Sequence, residues 1–224
     1  MTIMKTVVLS VGGSVIVQDT INVRFLQDFA ALIRSRSERL IIVVGGGGVC
    51  RMYQNAAEKA YTVSDYDKDL IGIATTHLNA QLMRCVLSSD AYEQVIVNPT
   101  LKVKTTKRIL VAGGWKPGHS TDTDAVELAL LYGAKTIINV TNVDFLYDSD
   151  PRMNKHAKKI EQASWAELQK LVGKKWSPGM HAPFDPVATQ RAAKAGLQLF
   201  LLGPDVHNIK NALDNSKFAG TVVN

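Results

Sequence analysis

The sequence predicts an α/β protein whose mostly parallel sheet is covered by helices on both faces, and three observations predict it. The strand candidates are apolar throughout, as in Leu40-Ile41-Ile42-Val43-Val44 and Leu197–Leu202, which is the pattern of strands buried on both faces. They alternate with segments of helical periodicity, the order of βαβ units. Glycine-rich turns follow the strands, at Gly12-Gly13-Ser14, at Gly45–Gly48 and around Gly113–Asp122. In parallel sheets, ligands bind at the carboxyl ends of strands, where these turns lie.

The elements follow in order. Lys5–Val11 is rich in β-branched residues and reads as a strand. Val23–Arg36 places Phe25, Leu26, Phe29, Leu32 and Ile33 at helical spacing. After the strand Leu40–Val44 and its glycines, a helix is expected over about Val49–Lys59. Another covers residues 68–88, opened by Asp67-Lys68-Asp69 with acids at the favourable end. Short strands are expected at Gln94–Val97 and Arg108–Val111, then a helix Thr121–Tyr132 ended by Gly133, a glycine C-cap. Thr136–Val140 is a buried strand. Ser164 caps a helix Trp165–Val172, Pro183–Ala195 is helical, Leu197–Leu202 is a strand and Asp205–Leu213 is the last helix.

The chain has 224 residues, enough for one large α/β domain or two lobes sharing a sheet. Its formal net charge is +6 with an isoelectric point near 9.3. Outside Lys102–Arg108, Lys155–Lys159 and Lys174-Lys175 the cations are scattered, and aromatics do not interleave with them. Nucleic acid is therefore not the expected partner; attraction for small polyanions is. No apolar stretch reaches the roughly 18–20 residues of a membrane span. The first strand starts within five residues of Met1, so no cleavable signal is expected. Two cysteines, Cys50 and Cys85, without framework or metal-ligand spacing, fit a reducing cytoplasm.

Glycine turns bring backbone N–H groups close to a ligand, and the helix N-terminus behind each favours an anion. No Gly-Lys-Ser/Thr follows at the spacing of a Walker A loop, and the dinucleotide fingerprint is absent. Any one turn also fits a plain strand-to-helix connection; three together point to a substrate with several phosphates. In the third, Gly113-Gly114-Trp115-Lys116-Pro117-Gly118-His119-Ser120-Thr121-Asp122, the hydroxyls of Ser120 and Thr121 can bond a phosphate or simply cap the helix. In Thr141–Pro151, Tyr147 offers a ring for a base and Asp150 an acceptor for ribose hydroxyls, although a polar turn would read alike.

The ordered motifs Gly-Gly-Ser, Val-Val-Gly-Gly-Gly with a following Arg, Lys-Asp-Leu-Ile-Gly, Gly-His-Ser-Thr-Asp, Thr-Asn-Val-Asp and Asp-Pro resemble the amino acid kinase superfamily. Within it the likeness is to the UMP kinases in their compact archaeal form, from about Lys5 to Gly220-Thr221. The resemblance implies a three-layer αβα sandwich over a single domain, residues 1–224. UMP would lie in a lobe of about residues 1–132 and ATP in one of about 133–224. It implies phosphoryl transfer from ATP with Mg2+ to UMP, in a homo-oligomer, a hexamer built from dimers, with the 23–36 and 68–88 helices as candidate interfaces. Gly13, Ser14 and Gly47 match ATP phosphate contacts, with Arg51 beside them. Gly46 and Asp69 match the UMP side, Asp69 at the ribose. Trp115, Lys116, Pro117, Gly118, His119, Ser120 and Thr121 match the loop around the UMP phosphate. Thr141, Asn142, Tyr147 and Asp150 match the adenosine site, and Asp122 a catalytic-centre aspartate.

Hard phosphate oxygens suggest magnesium, and no side chain is assigned to it. Ser10 stands where many superfamily members have lysine, and Lys116 is the candidate substitute cation. Phe145 departs from the usual Asp-Gly-Val-Tyr. Two other readings stay within the superfamily. One is a catalytically weak ATP-binding protein like the molybdenum storage proteins, although the five histidines are dispersed. The other is a kinase of another small phosphate such as isopentenyl phosphate, although Gly48-Val49-Cys50-Arg51 lacks the histidine those enzymes place there.

Overall fold

The computed structural model describes residues 4–149, 154–175 and 182–224. The first half runs β1 (Thr6–Val11), α1 (Gly13–Ile16), α2 (Val23–Arg34), β2 (Arg39–Val44), α3 (Gly47–Ala60), α4 (Asp65–Leu87), β3 (Ile109–Ala112) and α5 (Thr121–Tyr132). There follow β4 (Thr136–Val140), a small hairpin of β5 (Leu146–Tyr147) and β6 (Lys159–Ile160), then β7 (Gln162–Ala163), α6 (Trp165–Val172), α7 (Pro186–Lys194), β8 (Gln198–Leu202), α8 (Val206–Leu213) and β9 (Thr221–Val223).

A seven-stranded sheet has the order β3-β2-β1-β4-β8-β9-β7, parallel except where β8 meets β9. Its strands divide their side chains between two cores, as the two-residue strand period requires. Val7, Leu9, Val11, Leu40 and Ile42 face one core with Phe25, Phe29 and Ile33 of α2, Met83 and Leu87 of α4, and Ile209 of α8. Val8, Ile41, Val43 and Ile137 face the other with Val126 of α5, Leu168 of α6 and Ala188 of α7. This is the three-layer αβα sandwich.

Most expected elements form, with differences that have local causes. Gln94–Val97 is not a regular strand: Ala91 and Ile96 make isolated parallel bridges to Ile109 and Ala112. The five-residue step on that side faces a three-residue step on β3, so the ladder cannot run continuously. The expected helix 183–195 begins only at Pro186, because Asp185 takes an extended backbone and accepts from the Val187 and Ala188 N–H groups; proline suits the first helical position behind such a cap. The 68–88 helix begins earlier, at Asp65, where Ser64 accepts from Asp67 N–H. The short strands β5, β6, β7 and β9 lay below the length at which periodicity speaks.

Candidate active site

The strand order places a topological switch point between β1 and β4: from there the chain builds outward to β2 and β3 on one side and to β8 on the other. Crossovers leave on opposite faces here, so a crevice opens at the carboxyl ends. A cavity of about 870 Å3 occupies it, toward the upper end of the roughly 300–1,000 Å3 usual for small-molecule sites. Ser10 of β1 and Asn139 of β4 are register partners and both line it.

Two glycine turns interlock beneath the cavity. A Cβ on Gly13 would stand 2.1 Å from the Gly47 backbone nitrogen and 2.5 Å from Gly45 O, so the close approach of the loops requires glycine. Gly47 adds a φ of +68°, a left-handed conformation that glycine tolerates. Asn79 of α4, a polar residue on an otherwise core-facing stripe, donates to Gly45 O (2.9 Å) and Gly46 O (3.0 Å). Gly46 caps α3 without a side-chain bond, and Gly48 N–H is already taken by Val17 O (2.8 Å), so only the rest of the first turn of α3 is left to meet an anion. Arg51, one turn into α3, donates to Ser14 Oγ at 3.2 Å. Among the described residues lining the cavity it is the only lysine or arginine.

Helix α4 lines one end of the cavity with Asp69, Gly72, Ile73 and Thr76, whose spacing puts them on one helical face. The same helix fixes the third glycine turn: Gly114 N–H donates to Thr76 Oγ1 (2.8 Å), and Gly118 N–H donates to Asp69 Oδ2 (2.7 Å). Burial raises the Asp69 carboxyl, opposed by the Gly118 bond. His119, Ser120 and Thr121 line the cavity, while Trp115, Lys116, Pro117 and Gly118 form the outer part of the loop. The Lys116 ammonium lies 4.0 Å from the Trp115 ring centroid, a cation–π contact outside the cavity.

Asp122 forms the cavity floor at the start of α5. Its Oδ1 accepts from Ser10 Oγ–H (2.9 Å) and its Oδ2 from Asp185 N–H (3.1 Å), joining β1, α5 and the entry to α7. Burial, then the neighbouring Asp185 charge, pushes its carboxyl up to about 7, against those two hydrogen bonds. Asp185 accepts from Ser120 Oγ–H and from Thr123 Oγ1–H, the latter at 3.0 Å. Asp124, one step further along α5, accepts from Trp115 N–H at 3.0 Å. Asp185, Asp124, Thr76 and Asn79 were not anticipated. The first two read in sequence as helix-start acids, and only the polar Thr75-Thr76 and Asn79 within an apolar helical pattern signalled a buried polar role.

Beyond β4 the opposite end is lined by Thr141, Asn142, Phe145, Tyr147 and Asp148. Lys159 Nζ sits 4.8 Å from the Phe145 ring centroid, so the residue that departs from the usual glycine brings an aromatic face to the cavity edge. Asp150 lies outside the described residues. The remaining nominated residues Gly13, Ser14, Gly46, Gly47, Arg51, Asp69, Asp122, Thr141, Asn142 and Tyr147 all border the one cavity. Among the described residues no group of three or more His, Cys, Asp or Glu is arranged to hold a metal. No helix there is long and apolar enough to cross a membrane.

Comparison with known proteins agrees with this architecture. A family model described as the amino acid kinase family matches residues 5–203. The chain is 37% identical to a uridylate kinase of Pyrococcus abyssi over 202 residues, covering 88% of this chain and 89% of that one. It is 36% identical to a uridylate kinase of Methanospirillum hungatei, covering 98% and 95%. The crystal structure of uridylate kinase from Archaeoglobus fulgidus superposes with a TM-score of 0.84 at 32% identity, over 97% of this chain and 99% of that one. A UMP kinase from Bacillus anthracis, at 20% identity and a TM-score of 0.77, shares the fold. The chain belongs to the amino acid kinase family.

Proposed function

We propose that this protein is a nucleoside monophosphate kinase that transfers the γ-phosphoryl group of Mg-ATP to UMP, giving ADP and UDP. The observation that carries the reading is one cleft at the β1/β4 switch point with two differently built ends joined by interlocked glycine turns. Similarity to uridylate kinases across nearly the whole chain supports the same acceptor.

UMP takes the α4 end, with Asp69 accepting from ribose hydroxyls and Gly46 close to the nucleotide. The turn from Trp115 to Thr121 encloses its phosphate. ATP takes the other end, its adenosine against Thr141, Asn142, Tyr147 and Asp150. Its phosphates lie on Gly13, Ser14 and Gly47 with Arg51 beside them. The 1–132 and 133–224 portions thereby act as acceptor and donor lobes of one domain. Phosphoryl transfer needs in-line positioning and charge neutralisation more than covalent help. A UMP phosphate oxygen is already ionised at neutral pH, so no general base is required. Arg51 and the N-termini of α3 and α5 supply positive potential where Ser10 cannot. Asp122 holds the Ser10 hydroxyl and the start of α7 in place at the transfer point. With no side-chain cage for a metal among the described residues, magnesium would arrive on the phosphates of ATP, where it would neutralise their charge. Lys116 would contribute only by leaving its seat on Trp115. We further propose a cytoplasmic homo-hexamer serving pyrimidine nucleotide synthesis.

The test is a coupled assay of ATP consumption with magnesium, using UMP, CMP, isopentenyl phosphate or no acceptor. Rapid turnover with UMP supports the reading; turnover with isopentenyl phosphate alone replaces the acceptor, and ATP binding without turnover on any acceptor replaces the activity.

A further inference from the structure

The side chain of Asp124 has no solvent exposure, and its Oδ1 has no hydrogen-bond partner. The atom facing it is the equally unpartnered Nδ1 of His119, at 3.5 Å. Two buried polar atoms left unpaired cost about 1–3 kcal/mol each, unless they serve each other. A small rotation of the imidazole closes the gap, and such contacts often tighten only when ligand is bound. The ring plane is set by Trp115, which meets His119 edge-on at 5.1 Å between centroids. Asp124 holds the Trp115 backbone as well, through its other oxygen. One carboxyl therefore bonds one end of the turn and faces the other, and the ring edge opposite Nδ1 carries Nε2 on a residue that lines the cavity.

We propose that Asp124 is a positioning residue that shares one proton with His119 Nδ1, so that Nε2–H remains a hydrogen-bond donor to the phosphate of the acceptor. This rests on the acceptor assignment made above. The proton count decides the consequence. With one proton beyond the ring's own N–H, the pair is either neutral carboxyl and neutral imidazole or carboxylate and imidazolium; in both, Nε2 carries hydrogen. When that proton leaves, Nδ1–H turns to the carboxylate and Nε2 becomes a bare acceptor that repels phosphate.

Burial pushes the Asp124 carboxyl up to about 7, against the Trp115 N–H bond. Burial, then Lys116 and Arg191, holds the His119 imidazole below its ordinary value, so the shared proton sits mainly on the carboxyl. The charged groups facing the pair are Lys116 of the same turn, Asp122 and Glu127 of α5, Asp185 at the α7 cap and Arg191 of α7. Of these, Glu127 and Arg191 pair with each other at 2.5 Å.

Imidazole nitrogen NMR of the ligand-free protein tests the pair without any turnover. The expected result is an Nε2–H tautomer at pH 6.5 that converts to Nδ1–H by pH 8.5. In Asp124→Asn the amide keeps the Trp115 bond and donates to Nδ1, so Nε2–H should persist at both pH values. Calorimetric UMP affinity is then compared between the two proteins, which cancels the titration of the UMP phosphate itself. Between pH 6.5 and 8.5 the wild type should lose roughly tenfold more affinity than Asp124→Asn, the worth of one donor to a charged group. An Nδ1–H tautomer at pH 6.5, or pH profiles that run parallel in the two proteins, overturns the proposal. Absence of any UMP binding with the predicted tautomer switch intact overturns the acceptor assignment instead.

Discussion

Asp122 is a carboxyl whose ionisation is held near neutrality by its place rather than its neighbours in sequence. Burial and the Asp185 charge raise it to about 7, while Ser10 Oγ–H and Asp185 N–H favour the ionised form. A carboxyl raised in the folded state binds more protons there than in the unfolded chain. It therefore destabilises the fold as pH rises from its ordinary value through about 7. Asp122→Asn removes that term, so its melting temperature relative to wild type should climb as pH goes from 5 to 8.5, read by calorimetry. Turnover should fall on the order of a hundredfold, the effect of misplacing groups at a transfer site. Wild-type turnover would refute its assigned place. At this scale the sequence pointed to Asp122, Ser120 and His119 through one contiguous motif. It did not point to Asp185, whose hydroxyl partners are 65 and 62 residues away; an Asp-Pro dipeptide carries no trace of such contacts beyond its role as a helix cap.

The elements divide into those that hold the site and those that hold only the fold. Helix α4 fastens two glycine turns through Asn79, Thr76 and Asp69. Asn79→Ala would leave Gly45 O and Gly46 O without this donor, at a cost of about 1–3 kcal/mol, and should lower activity along with the denaturation midpoint. Helix α6 is different. Leu171 near its end borders the cavity, but Ser164 and Glu167 form a full capping box at its start, outside the lining, so Ser164→Ala should cost about 1 kcal/mol and leave activity intact. If both variants lose activity in proportion to stability, α4 has no special role. Long elements were legible because their apolar spacing repeats over several turns. The start of α7 and the break at residues 94–97 were not, since a cap and a bulge are decided by one or two residues and by what the sheet edge offers.

Across the whole molecule, alternating apolar strands and helices announced the doubly covered parallel sheet, and glycine turns at strand ends announced where the cavity opens. The strand order itself, and with it the switch point between β1 and β4, became visible only in three dimensions. The antiparallel β9 closing against β8 was likewise hidden, since it has three residues. The switch point predicts two separable ends. Asp69→Ala should raise KM for UMP roughly tenfold with little change for ATP, and Tyr147→Ala should do the reverse, as loss of single contacts of this kind implies. In the double variant the two effects should add, as they do for sites without shared partners; equal effects on both substrates from either change would merge the ends into one site. The central claim is that the cleft brings a nucleoside triphosphate and UMP end to end for direct transfer. It is tested by following the label from γ-32P-ATP in the presence of magnesium and UMP. Label is expected in UDP, one for each ADP formed. Label released only as inorganic phosphate, or none transferred while both nucleotides bind, would contradict it.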